Sequence, residues 1–121
     1  MNQVELKQRT KAFALRVMKL VDALPNTRNG NAIGNQLVRS GTSVGANYRA
    51  TCRARSKAEF IAKMGVVEEE ADESGFWMEL IVDGELLSAS KVTALLQEAS
   101  ELTAIMAASR ISASRNRSIA K

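Results

Sequence analysis

The chain of 121 residues contains no histidine. Imidazole is the commonest general base and a frequent metal ligand, so His-dependent catalytic dyads and zinc sites are excluded. A di-iron bundle, which draws Glu-x-x-His pairs from facing helices, goes with them. The single cysteine, Cys52, rules out an intrachain disulfide and suits a reducing compartment. One proline, Pro25, and few β-branched runs favour helix over sheet. No apolar run approaches the roughly 20 residues needed to cross a bilayer. The opening MNQVELKQRTK is polar and lacks an apolar signal core. These absences predict a cytoplasmic protein with no membrane partner.

What is present belongs to an ordinary globular domain: 45% apolar and 25% charged residues, in a length that buries one core unaided. The net charge of +4 is unevenly spread. Residues 1–63 carry twelve Lys/Arg against three acids, a charge of +9; residues 64–121 carry five against ten, a charge of −5. Either basic helices lie beside acidic ones within the fold, or a basic face is left for a polyanion.

Helical periodicity runs through most of the chain. Leu6, Thr10, Phe13, Val17, Leu20 and Leu24 repeat at spacings of three and four, which places them on one face of a helix from about Asn2 to Leu24. Pro25 ends it, and Asn26 to Gly30 reads as a turn. A second helix, from near Asn31 to about Ala54, carries Ile33, Leu37, Gly41, Val44 and Tyr48. Its middle, Ser40 to Ala46, is poor in helix formers. A loop is the alternative there, but the apolar period continues through the small residues, which also admit a close neighbouring backbone. Ser56-Lys57-Ala58-Glu59 has the form of a capping box. Behind it Phe60, Met64, Val67, Ala71, Ser74, Met78 and Ile81 alternate four and three up to a stop at Asp83-Gly84. Val92, Leu95, Ala99, Leu102 and Met106 define a fourth helix, from about Ser90 to Ile111. The expected fold is all-α, an up-and-down antiparallel four-helix bundle over residues 1–113, with a basic frayed tail over 114–121. Its first two helices form a basic hairpin and its last two an acidic one.

Little in this sequence supports chemistry, and no enzyme, metal or cofactor is expected. Neighbouring acids in the run Glu68 to Glu73 point in different directions from a helix, so most must face water. Cys52, in an apolar-periodic stretch with no histidine partner, reads as a buried structural thiol. Gly30-x-x-x-Gly34 and Gly41-x-x-x-Gly45 lack the ending of a phosphate loop and read as turn and helix-contact glycines. Two features remain. Arg49, Arg53, Arg55 and Lys57 fall within nine residues at the second helix junction, with Lys63 a turn and a half into the third helix. Arg49 and Arg53, four apart, would share a helical face. Guanidinium clusters suit phosphate contacts, so these five are candidate nucleic-acid ligands for RNA or DNA. The competing reading pairs them with Glu68, Glu69, Glu70, Asp72 or Glu73 of the same or a neighbouring subunit.

The second feature is a surplus of large apolar residues off the core stripes: Leu15 and Met18, then Phe76, Trp77 and Leu80, then Leu96 and Ile105. Some must widen the core face. Leu15, Met18, Phe76, Trp77 and Leu80 are candidates for a subunit interface in a homo-oligomer.

The segment from Ile33 to Arg49 (IGNQLVRSGTSVGANYR), followed by Arg55-Ser56-Lys57-Ala58-Glu59-Phe60, resembles the 23S ribosomal-RNA intervening-sequence protein family. The Ala71-Asp72-Glu73 to Trp77 stretch and Ala99 to Thr103 fit the same family, so the resemblance spans roughly residues 5–112. It implies a four-helix bundle assembled as a homopentamer. The family's name reflects genes inside insertions in ribosomal RNA genes, a location and not a mechanism. Relatives include the accessory variability proteins of diversity-generating retroelements, which look like basic pentameric rings that bind nucleic acid and a reverse transcriptase. Two functions fit: a non-catalytic oligomeric binding protein for RNA or DNA, or an oligomeric protein-interaction scaffold with no nucleic-acid role.

Overall fold

The computed structural model describes residues 1–119, which form four helices and no strand. They are α1 (Gln3–Asp22), α2 (Arg28–Thr51), α3 (Lys57–Asp83) and α4 (Ala89–Ile119). Asn2 opens α1: its side chain accepts from the Glu5 N–H at 2.8 Å while the Glu5 carboxylate takes the Asn2 N–H. α2 starts earlier than its apolar period suggests. Thr27 caps it by accepting from the Gly30 N–H at 3.0 Å, so part of the Asn/Gly-rich turn is helix. Ser56 caps α3 as expected, accepting from the Glu59 N–H at 3.1 Å. The Glu59 carboxylate, however, reaches past the cap to the Arg55 N–H at 3.3 Å. α4 runs past Ile111, because nothing in the following SASRNRSI breaks a helix. The tail expected to fray, 114–121, ends outside the described residues at 120 and 121.

Each helix packs on its sequence neighbours, and α1 closes the bundle on α4 through the thinnest seam. Every predicted core position is buried or half-buried, from Leu6, Phe13 and Val17 to Leu102 and Met106. α2 continues as helix through Ser40 to Ala46, and its small residues let the bundle close tightly. A Cβ on Gly41 would lie 2.8 Å from both methyls of Val17, and one on Gly45 would lie 3.3 Å from Thr10 Oγ1. Leu96 and Ile105, off the stripe in sequence, pack against the core from its margin. Buried polar groups are satisfied: the Ser74 hydroxyl lies 3.0 Å from Ser40 Oγ and 2.9 Å from the Glu70 carbonyl.

The two hairpins are joined by charge along both of their shared seams. On the α2–α3 seam Arg39 pairs with Glu70 at 3.2 Å and with Glu73. On the α1–α4 seam Arg9 pairs with Glu98 at 2.7 Å and Glu101 at 3.0 Å. The Glu98 carboxylate, hydrogen-bonded to the Arg9 guanidinium, raises it above its already high ordinary value.

Candidate nucleic-acid interface

The predicted basic cluster is divided by the fold. α2 ends at Thr51, so Arg53 lies in the turn after the helix and shares no helical face with Arg49. The turn is tight: Cys52 keeps helical geometry as the C-cap, and the N–H groups of Arg53 and Ala54 return to the carbonyls of Ala50 and Thr51. Cys52 itself is half-buried at the edge of the core rather than within it, because it sits on this last turn. Burial, followed by a hydrogen bond with Cys52, pushes the Tyr48 hydroxyl well above its ordinary pKa.

At the junction a shallow hollow of about 450 Å³ is lined by Ala50, Arg53, Arg55, Glu59 and Lys63. Arg53, Arg55 and Lys63 are thus brought together, with one acid among them. Glu59 holds the Arg55 backbone and stands 3.8 Å from Lys63, an exposed pair worth about 0–1 kcal/mol. Arg53 and Arg55 are exposed and form no ion pair among the described residues. Lys57, on the first turn of α3, is exposed and lines no part of the hollow.

Three of the five acids that could neutralise this cluster within one chain are engaged elsewhere. Glu68 pairs with Arg110 at 2.8 Å, and Glu70 and Glu73 pair with Arg39. Glu73 also accepts from the Trp77 indole N–H at 2.9 Å; that bond, then the Arg39 guanidinium, lowers its pKa. Glu69 and Asp72 are exposed and unpaired among the described residues.

Arg49 is diverted to another surface. It lines a groove of about 410 Å³ between α1 and α2, facing Lys7 and Lys11. Lys7 and Lys11 were not legible as partners of Arg49, because the sequence shows two outward lysines four residues apart but not which helix lies beside them.

The apolar candidates also divide. Leu15, Met18 and Phe76 are exposed at 54%, 47% and 51%. Trp77 is half-buried against the core and makes an edge contact with Phe76 at 5.1 Å between ring centroids; Leu80 is half-buried. Among the described residues no helix is long and apolar enough to cross a membrane, and no three Cys, Asp or Glu side chains gather where they could hold a metal ion.

Residues 2–108 match the model of the 23S rRNA-intervening sequence protein family. The chain belongs to this family. No curated protein matches it. In structure it is similar to a protein of unknown function from the S23 ribosomal protein family of Bacteroides thetaiotaomicron VPI-5482, with a TM-score of 0.83 and 29% identity over 91% of this chain and 98% of that one. For this member of the 23S rRNA-intervening sequence proteins, the comparison agrees with the bundle read from periodicity.

Proposed function

We propose that this protein is a non-catalytic, homo-oligomeric binding protein that holds nucleic acid by its backbone through the basic end of the bundle. Arg53, Arg55 and Lys63, which line one hollow, are the principal ligands, with Arg49 and Lys57 at the margins. One observation carries the reading: Arg53 and Arg55 stand without carboxylate partners among the described residues, while Glu68, Glu70 and Glu73 are taken by Arg110 and Arg39. Guanidinium groups free of internal partners give up no ion pair when they take up phosphate. Self-association, a pentamer by family resemblance, would repeat the patch and strengthen weak binding through avidity.

The second reading, a protein-interaction scaffold in the cytoplasm, is favoured by one observation, the exposure of Leu15, Met18 and Phe76. Mixed-sequence RNA binding followed by fluorescence anisotropy separates the two. The wild type should bind at low ionic strength and lose affinity steeply with salt. Arg53→Glu/Arg55→Glu should abolish binding while light scattering shows the same oligomer. No salt-sensitive binding by the wild type, to RNA or DNA, would leave the scaffold. Dissociation of the oligomer by the double substitution would assign the arginines to a subunit interface.

A further inference from the structure

We infer that the groove between α1 and α2 is a second nucleic-acid contact, a track in which Lys7, Lys11 and Arg49 hold the phosphates of an extended single strand leaving the junction. This rests on the backbone-binding reading above and extends it to a surface that the basic cluster alone does not reach.

The track follows from the packing beneath it. Gly41 and Gly45 bring α2 against Val17 and Thr10, so the groove floor is small, made by Ala14, Gly45 and Ala46. Over that floor rise three cations and no acid. None of the three has an ion-pair partner among the described residues, whereas Arg9 and Arg39 on the two inter-hairpin seams do. Three exposed like charges around one concavity raise the local positive potential, which draws an anion to it. Spacing decides the kind of anion. Lys7 and Lys11 are four residues apart on α1, about 6 Å along the axis, comparable to the step between consecutive phosphates of an extended strand. Consecutive phosphates of one strand give each lysine a partner of its own, where a lone phosphate would have to be shared by both. Continuity decides the path. Arg49 lines the groove and Ala50 lines the junction hollow, so both concavities border the last turn of α2. A duplex is much wider than the roughly 8–10 Å between neighbouring helix axes, so the strand that enters is single.

The salt dependence of binding tests this, measured by anisotropy with a mixed-sequence single-stranded RNA and the same sequence as a duplex. Lys7→Gln/Lys11→Gln should weaken single-strand binding several-fold and flatten the log–log salt slope by about 1.4, about 0.7 for each phosphate left without its lysine. Duplex binding should change little. Lys19→Gln/Lys91→Gln removes the same charge from the α1–α4 hollow, which is also lined by cations and no acid but shares no turn with the junction; it should leave the slope unchanged, and an equal flattening would overturn the track. An unchanged slope for Lys7→Gln/Lys11→Gln, with binding still abolished in Arg53→Glu/Arg55→Glu, would overturn the track and leave the junction site standing. Absence of wild-type binding would overturn the underlying reading as well. A change of oligomeric state in the Lys7/Lys11 variant would mean that the groove receives acids of a second copy and would overturn the track.

Discussion

Gly41 and Gly65 show how the same residue in a helix can be required or merely tolerated. A Cβ on Gly41 would press on both methyls and the Cβ of Val17, at 2.8–3.1 Å. Val17 is β-branched and fully buried, so it has no other rotamer to adopt. A Cβ on Gly65 would meet only the Cδ of Arg110, at 3.7 Å, an ordinary contact at the end of a flexible side chain. Alanine gains about 1 kcal/mol of helix propensity at either site. At Gly41, overpacking of about 1–3 kcal/mol outweighs it. Urea unfolding should therefore show Gly41→Ala destabilised and Gly65→Ala stabilised by about 0.5–1 kcal/mol. Equal effects at the two sites would mean that α2 does not approach α1 as closely as described. The small residues of α2 were legible as contact residues from the period running through them; their partners, Val17 and Thr10, were not. A period gives the face of a helix but not its rotation against a neighbour. For the same reason the pairing of Arg49 with Lys7 and Lys11 emerged only with the fold.

Among the elements, α3 is the one best marked by its sequence, and its start also shapes the junction hollow. Ser56 caps it, and Glu59 ties back to the Arg55 backbone while standing near Lys63. Ser56→Ala should cost about 1 kcal/mol of stability in thermal or urea unfolding. It should also loosen the turn that presents Arg55, which amide hydrogen exchange at residues 55–60 would report as faster opening. Protection unchanged from the wild type would show that Glu59 alone holds the turn. Interior helix was readable wherever apolar residues recurred at three and four; ends were not, because caps are local and chemically varied. Thr27 was hidden in an Asn/Gly-rich stretch with the composition of a loop. No breaker stands between Thr51 and Ala54 in the sequence, although the chain has already turned at Cys52. That three-residue difference separated Arg53 from Arg49 and divided the expected patch in two.

Across the whole molecule, the sign of charge sorts with the hairpins. The basic α1–α2 pair and the acidic α3–α4 pair meet along two seams, each carrying an arginine clamped by two glutamates. The halves of the sequence announced this arrangement, since halves of +9 and −5 attract when they fold together. The same topology constrains the proposed homo-oligomer. α1 and α3 lie diagonally across the bundle, so the exposed Leu15 and Met18 on one and Phe76 on the other face opposite sides of it. A two-fold dimer pairs a patch with itself, whereas a ring pairs one patch with a different one on the next copy. Two apolar patches of similar exposure on opposed helices suit the second arrangement, with the α1 face of one copy against the α3 face of its neighbour. Leu15→Glu/Met18→Glu should block one face and Phe76→Glu the other, so each variant alone should be a monomer by light scattering. Mixed in equal amounts, each variant still offers one intact face that complements the other's. The mixture should form a heterodimer and nothing larger, because both outward faces of that pair are blocked. Two-fold pairing predicts the reverse: Leu15→Glu/Met18→Glu would still dimerise through Phe76 alone, and mixing the variants would add no new species.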